Sequence, residues 1–154
     1  MQTYFRSGDA LADANEDSAH GGRFLLGFVE GDLAVCASHA RLRNPSVETP
    51  LRGHLGFTGP IRVLKAVGVT CVHRGAGGVV ADQALDDVLA DMLDQEANAE
   101  TLVIGRVDSR NKSSERLVVR SGFELLDDLP AEGQLRNWFL IIEADLVSEP
   151  AASS

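Results

Sequence analysis

The segment Arg74-Gly75-Ala76-Gly77-Gly78 packs three glycines into five residues, and the chain changes periodicity across it. Before it, Val67, Val69 and Cys71 alternate with their neighbours as strand residues do, within a run read as a strand from Ile61 to Cys71. After it, Val79, Val80, Ala84, Leu85, Val88, Leu89, Met92 and Leu93 recur at helical spacing, to about Asn98. A strand feeding a helix through a glycine-rich turn presents several backbone N–H groups at a positive helix end, a geometry that takes up phosphate. Thr101–Val107 is the next apolar run, and a strand–helix–strand unit places it parallel to the first strand. The fold class is α/β.

The rest of the chain adds antiparallel elements. Residues 1–22 read as a poorly structured or short helical lead-in, with weak helical character around Ala10–Asn15. Arg23–Val29 and Leu33–His39 flank the turn Glu30-Gly31-Asp32 and read as an antiparallel hairpin. Asn44–Pro60 holds Pro45, Pro50, Gly53, Gly56, Gly59 and Pro60, and reads as a long loop with a short strand near His54–Phe57. Ser113–Ser121 is expected to be a helix ended by a left-handed Gly122, with Phe123 as its apolar anchor. Strands follow at Phe123–Leu126 and Gln134–Leu146. One domain is expected over residues 23–147, with a disordered tail at 148–154.

Composition removes several classes of function. A formal net charge of −9 argues against nucleic-acid binding, because carboxylates repel phosphate backbones, and tilts weakly toward a cationic partner. Cys36 and Cys71 sit in apolar runs with no CxxC spacing, and read as buried reduced thiols. His20, His39, His54 and His73 lack metal-ligand spacing, so no metal is expected. No stretch reaches the length of a membrane span and no signal core opens the chain, so a soluble cytoplasmic protein is expected. The glycines are not followed by Lys-Ser/Thr, which excludes a Walker A loop, and Val80 stands where a dinucleotide fingerprint needs its last glycine.

Two segments carry a resemblance. Val67-Gly-Val-Thr-Cys-Val-His-Arg-Gly-Ala-Gly77 resembles the strand and pyrophosphate loop of the GNAT family of N-acetyltransferases, with Arg74-x-x-Gly77 matching and Val79 departing from the last small position. The slipped register Val72-x-x-Gly75-x-Gly77 recovers both glycines and loses the arginine; the Arg74 register keeps Val67 and Val69 at the family's spacing. Asn111-Lys-Ser-Ser114, continued by Leu117 and Gly122-Phe123, resembles the family's Asn-x-x-Ala/Ser segment after the next strand. The resemblance implies a mixed sheet splayed between two central strands, and acetyl-CoA or another acyl-CoA as co-substrate; the family's N-terminal helical region is expected to be shortened here, a departure from its pattern. It implies that strand backbone at Val67 and Val69 meets the pantetheine arm, and that Arg74, Gly75, Ala76, Gly77, Gly78 and Val79 hold the pyrophosphate. Asn111 would bond the arm or cap its helix, and Ser114 would lie along the cofactor.

Catalytic residues are less defined. The family often has a tyrosine one residue after the leucine; here that position is Val118. From Pro60 to Val72 there is no carboxylate, only Arg62 and Lys65. Candidate bases are His54 and Glu48 in the proline-rich segment, His39 at the hairpin end and Asp108 after the parallel strand. The expected activity is direct acyl transfer from the thioester to a primary amine, on a small molecule or a protein. The alternative is an acyl-CoA-binding sensor or interaction module without turnover. The acceptor site is expected to be unusually open, or to be completed by the Asn44–Pro60 segment or by a second subunit, with a homodimer favoured.

Overall fold

A computed structural model describes residues 4–8, 21–127 and 133–144. The strands are β1 (Tyr4–Gly8), β2 (Arg23–Val29), β3 (Asp32–Arg41), β4 (Ile61–Val69), β5 (Thr101–Asp108), β6 (Glu124–Leu125) and β7 (Leu135–Ile142). The helices are α1 (Pro45–Leu55), α2 (Val79–Gln95) and α3 (Lys112–Arg120). The seven strands form one sheet in the order β1-β2-β3-β4-β5-β7-β6, antiparallel except for the parallel pair β4–β5.

The expected hairpin and parallel unit are present. Leu85, Val88 and Met92 of α2 are fully buried on one face of the sheet, with Ala37, Val103, Val118 of α3, Phe123 and Trp138. Burying each such Leu, Val or Met side chain contributes about 1.5–3 kcal/mol, which outweighs the helix's intrinsic propensity. Helix α3 ends as its sequence predicts. Gly122 has φ 90°, its N–H bonds Val119 C=O at 3.1 Å, and Phe123 N–H bonds Val118 C=O at 2.9 Å. That pairing is a Schellman close, and it drops Phe123 into the core beside Val118.

Several expectations are corrected. The proline-rich segment is not a loop with a strand near His54–Phe57 but the helix α1. Asn44 caps it, with Oδ1 accepting from Ser46 N–H at 3.2 Å, and Pro45 occupies the first turn, where no intrahelical N–H is needed. Pro50 removes the bond to Ser46 C=O, but both residues are exposed, so water can serve that carbonyl. Left-handed Gly56 (φ 61°) closes the helix, and Leu51 and Phe57 bury with Ile61, Leu102 and Leu126 on the face opposite α2. Strand β4 stops at Val69 rather than Cys71, because Cys71–His73 turns into a short 3-10 segment closed by His73 N–H on Thr70 C=O. Helix α2 ends at Gln95, and β6 is only two residues long. Tyr4–Gly8, inside the expected unstructured lead-in, is a strand paired with β2. The tail at 148–154 and the helical character around Ala10–Asn15 lie outside the described residues.

Candidate functional site

The parallel strands β4 and β5 pair only from Ile61↔Leu102 to Leu64↔Gly105. Beyond that point each pairs with its other neighbour alone, β4 with β3 and β5 with β7, and a gap opens between them. The register along β3 shows the cause. Ser38 pairs with Ala66 but His39 with Leu64, so Lys65 is an extra residue, a bulge that bends and twists β4 away from β5.

The bulge also decides which backbone groups face the gap. Thr70 N–H donates to Ala34 C=O at 2.8 Å, which makes Thr70 and Ala34 a hydrogen-bonded antiparallel pair. Alternation along the strand then turns the N–H and C=O of Val69 and Val67 away from β3, into the gap. Arg74 Nε donates to Val69 C=O at 2.8 Å, as that orientation requires. An extended, amide-bearing chain can dock along such an open edge as a further strand would.

The glycine turn lies at the C-terminal end of β4. Gly75 (φ 98°, ψ −151°) takes a conformation essentially reserved for glycine, and Gly77 (φ 71°) and Gly78 (φ 80°) are left-handed. Together they lead directly into the first turn of α2, whose N–H groups lack intrahelical partners. Val79 is half exposed there. A Cβ on Gly78 would come within 2.5 Å of Arg120 Nη2, so this glycine also makes room for a guanidinium. Arg120 crosses from the last turn of α3 to pair with Asp82 in the first turn of α2 at 2.8 Å. Sequence reasoning passed over this arginine, although it sits two residues before Gly122 in the second matched segment.

Asn111 follows β5 as the glycine turn follows β4, so the parallel pair places both at one end of the sheet, flanking the gap. Its Oδ1 accepts from Ser114 N–H at 3.1 Å, which makes it the N-cap of α3. The hydroxyl of Thr70, at the mouth of the gap, is buried with no hydrogen-bond partner among the described residues. An open strand edge, a glycine turn at a helix start, an orphaned hydroxyl and two arginines fit the coenzyme A that the sequence resemblance implies. Cys36 and Cys71 are exposed rather than buried, because Cys36 lies on the sheet face away from α2 and Cys71 in the turn after β4.

The candidate bases do not gather at the gap. His39 is fully buried, with Nε2 2.7 Å from Asp91 Oδ2 and Nδ1 accepting from Arg62 Nε at 3.0 Å. Arg62 in turn donates to Glu96 Oε1 at 2.7 Å, Arg41 pairs with Glu96 Oε2, and Arg23 pairs with Asp91 at 2.8 Å. This network ties the C-terminal half of α2 to β2, β3 and the start of β4, and His39 lies four residues along β3 from the partner of Val69, about 13 Å away at a strand's rise per residue. Burial and the cations Arg62 and Arg23 lower the His39 pKa against the pull of Asp91. Asp108 ends β5 but is clamped by Arg110, whose hydrogen bonds lower it to about 2, so it is a poor proton acceptor. Glu48 pairs with Arg52 one turn along α1 at 3.0 Å, and His54 lies exposed in the last turn of that helix.

Where β4 and β5 part, on the face opposite α2, a cavity of about 370 Å³ opens beside α1. Leu42, Val47 and Leu126 supply apolar wall, and Lys65, Arg106 and Asn137 supply polar groups. A wider depression of about 700 Å³ near Arg41 and Arg43 lies at the other end of the sheet, away from the glycine turn.

No protein-family model matches the sequence, and no curated protein is similar to it. Solved structures do match the fold. A Bacillus subtilis acetyltransferase in complex with CoA aligns with TM-score 0.62 at 10% identity, over 92% of this chain and 99% of that one. A GNAT-family acetyltransferase from Staphylococcus aureus aligns with TM-score 0.61 at 16% identity, over 88% of this chain and 77% of that one. A ribosomal-protein-alanine N-acetyltransferase from Brucella melitensis aligns with TM-score 0.56 at 22% identity, over 84% and 73%.

Proposed function

We propose that this chain, which has the fold of the GNAT acetyltransferases, transfers an acetyl group from acetyl-CoA directly to a primary amine. The observation that carries the reading is the gap itself. The Lys65 bulge turns the Val67 and Val69 backbone outward at the point where the glycine turn delivers the start of α2. Val67 and Val69 would hold the pantetheine arm. The amides from Gly75 to Val79, together with Arg74 and Arg120, would meet the pyrophosphate. Asn111 and Ser114 would line the arm from the β5 side. An arm seated on Val69 C=O displaces Arg74 Nε from that carbonyl and frees its charge for phosphate.

In the reaction the amine nitrogen attacks the thioester carbonyl carbon. The N–C bond forms, the C–S bond breaks, and the proton lost from nitrogen ends on sulfur. No histidine or carboxylate at the gap takes this proton among the candidates, so water is the carrier in this reading. Rate then rests on positioning and on backbone polarisation of the carbonyl.

The test pairs calorimetry of CoA binding with thiol release from acetyl-CoA across a panel of amines. Micromolar binding and amine-dependent release are expected. Binding without release for any amine would leave an acyl-CoA-binding module; absence of binding would sink the assignment of the gap.

A further inference from the structure

On the far side of β5 from the gap, α3 and the β6–β7 edge enclose a groove of about 470 Å³. Helix α3 turns Val118 into the core and packs Leu117 against it, which leaves Arg116, Val119 and Arg120 outward as one wall of the groove. The other wall is Arg136 and Trp138, two residues apart on one face of β7, with Leu125 paired to Trp138 across the strands. Val119 and Leu125 are 57% and 40% exposed, so the groove shows apolar surface to solvent. Trp138 is 9% exposed, and its indole N–H is buried with no hydrogen-bond partner among the described residues.

The charge of this groove runs against that of the chain, whose formal net is −9. The carboxylate in its wall, Glu115, is answered by Lys112 Nζ at 2.9 Å, and Arg120 is answered by Asp82 at 2.8 Å. Arg116 and Arg136 have neither an ion pair nor a hydrogen bond among the described residues. Two unpaired guanidiniums therefore stand beside exposed apolar side chains. We propose that this groove binds a compact organic anion, its apolar body against Val119, Leu125 and Trp138 and its phosphate or carboxylate on Arg116 and Arg136. The planar guanidinium fork matches either acid group. The volume is that of a small-molecule site. An anion without an apolar body leaves Val119 and Leu125 in water, and a neutral body leaves both cations unpaired, so affinity needs the two features together. A cationic ligand meets like charge. Binding in this groove requires no acyl transfer at the gap.

Trp138 is the chain's one tryptophan, so its fluorescence reports on the groove directly. The full chain is titrated with phenyl phosphate and with phenylacetate. Benzyl alcohol serves as the neutral body, inorganic phosphate as the anion without one, and a glutamate-rich peptide as the macromolecular alternative. A saturable change in Trp138 emission with Kd of about 1 mM or tighter is expected for one or both aromatic anions, and comparing them tells phosphate from carboxylate. Benzyl alcohol and inorganic phosphate should each bind about tenfold more weakly or worse. Arg116→Gln and Arg136→Gln should each weaken the aromatic anion about tenfold, and Val119→Asp, which sets a carboxylate on the exposed face of α3, should abolish saturation. Circular dichroism reports that each variant is folded. Four results would each overturn the proposal: no saturation with either aromatic anion, equal binding of benzyl alcohol or inorganic phosphate, saturation with the acidic peptide alone, or affinity unmoved in folded Arg116→Gln and Arg136→Gln.

Discussion

The imidazole of His39 is fixed in one tautomer by its two neighbours. Arg62 can only donate, so Nδ1 is the acceptor and Nε2 carries the proton it gives to Asp91. The folded state therefore favours neutral His39, with a pKa below the unfolded value of about 6.5. Above that pH both states are neutral and the network contributes fully. As pH falls below it, the unfolded chain takes up the proton first and stability declines until the folded pKa is reached. Asp91, which burial alone would raise, is held at about 2 by its bonds from His39 and Arg23, so its share is lost only between the unfolded value near 4 and about 2. In His39→Gln, which keeps a donor and an acceptor but does not titrate, denaturation against pH should lose the decline this residue causes below about 6.5. His39→Leu should cost about 3 kcal/mol, because Arg62 and Asp91 each lose a buried partner. An acid decline identical to that of the unsubstituted protein in His39→Gln would refute the assignment. Sequence alone offered His39 as a base because its partners lie 23 and 52 residues away. Gly78 was legible as a glycine but not as a site of crowding. Gly78→Ala should lower CoA affinity at least tenfold, since both its φ of 80° and the nearby Arg120 oppose a Cβ, and calorimetry reads this directly. Unchanged affinity would remove the turn from the binding site.

At the scale of elements, what was legible followed local chemistry. The period change at Gly75 and the Gly122–Phe123 close each depend on residues within a few positions of one another, and both stand in the structure. Helix α1 was hidden because its prolines and glycines read as breakers. In place they are an N-terminal proline, a tolerated exposed proline and a left-handed terminator, made worthwhile by burying Leu51 and Phe57 against residues up to 75 positions distant, as in Leu51 with Leu126. The bulge at Lys65 was hidden for a similar reason: a bulge belongs to the pairing of two strands, and neither strand shows it alone. Asn111 carries two roles that one substitution would confuse. Asn111→Ala should cost about 1 kcal/mol through the lost cap, and Asn111→Ser should restore most of that stability. If the amide also meets the pantetheine arm, both variants should raise the KM for acetyl-CoA several-fold. Full recovery of KM in Asn111→Ser would reduce Asn111 to a cap.

As a whole, the molecule is two half-sheets joined along the short β4–β5 pairing and bridged on one face by α2 and α3. Strand parity on the open edge yields a pattern that amide hydrogen exchange can resolve. Ala66 and Gly68 share the parity of Thr70, whose N–H bonds Ala34 across to β3, so their amides should exchange slowly with or without ligand. Val67 and Val69 have the opposite parity and face the gap, so their amides should exchange faster in the free protein and slow when CoA is added. A ligand that binds only the folded state at one hundred times its Kd also adds about 2.7 kcal/mol of global stability, which protects every core amide. The local signal is therefore the change at Val67 and Val69 beyond that common shift. Protection at Ala66 and Gly68 instead would mean that the bulge lies elsewhere and the strand register after Leu64 is reversed. Equal protection at all four would place CoA away from the β4 edge. The alternating result alone ties the bulge, the gap and the cofactor into one device, because only the extra residue at Lys65 brings Val67 and Val69 round to face β5.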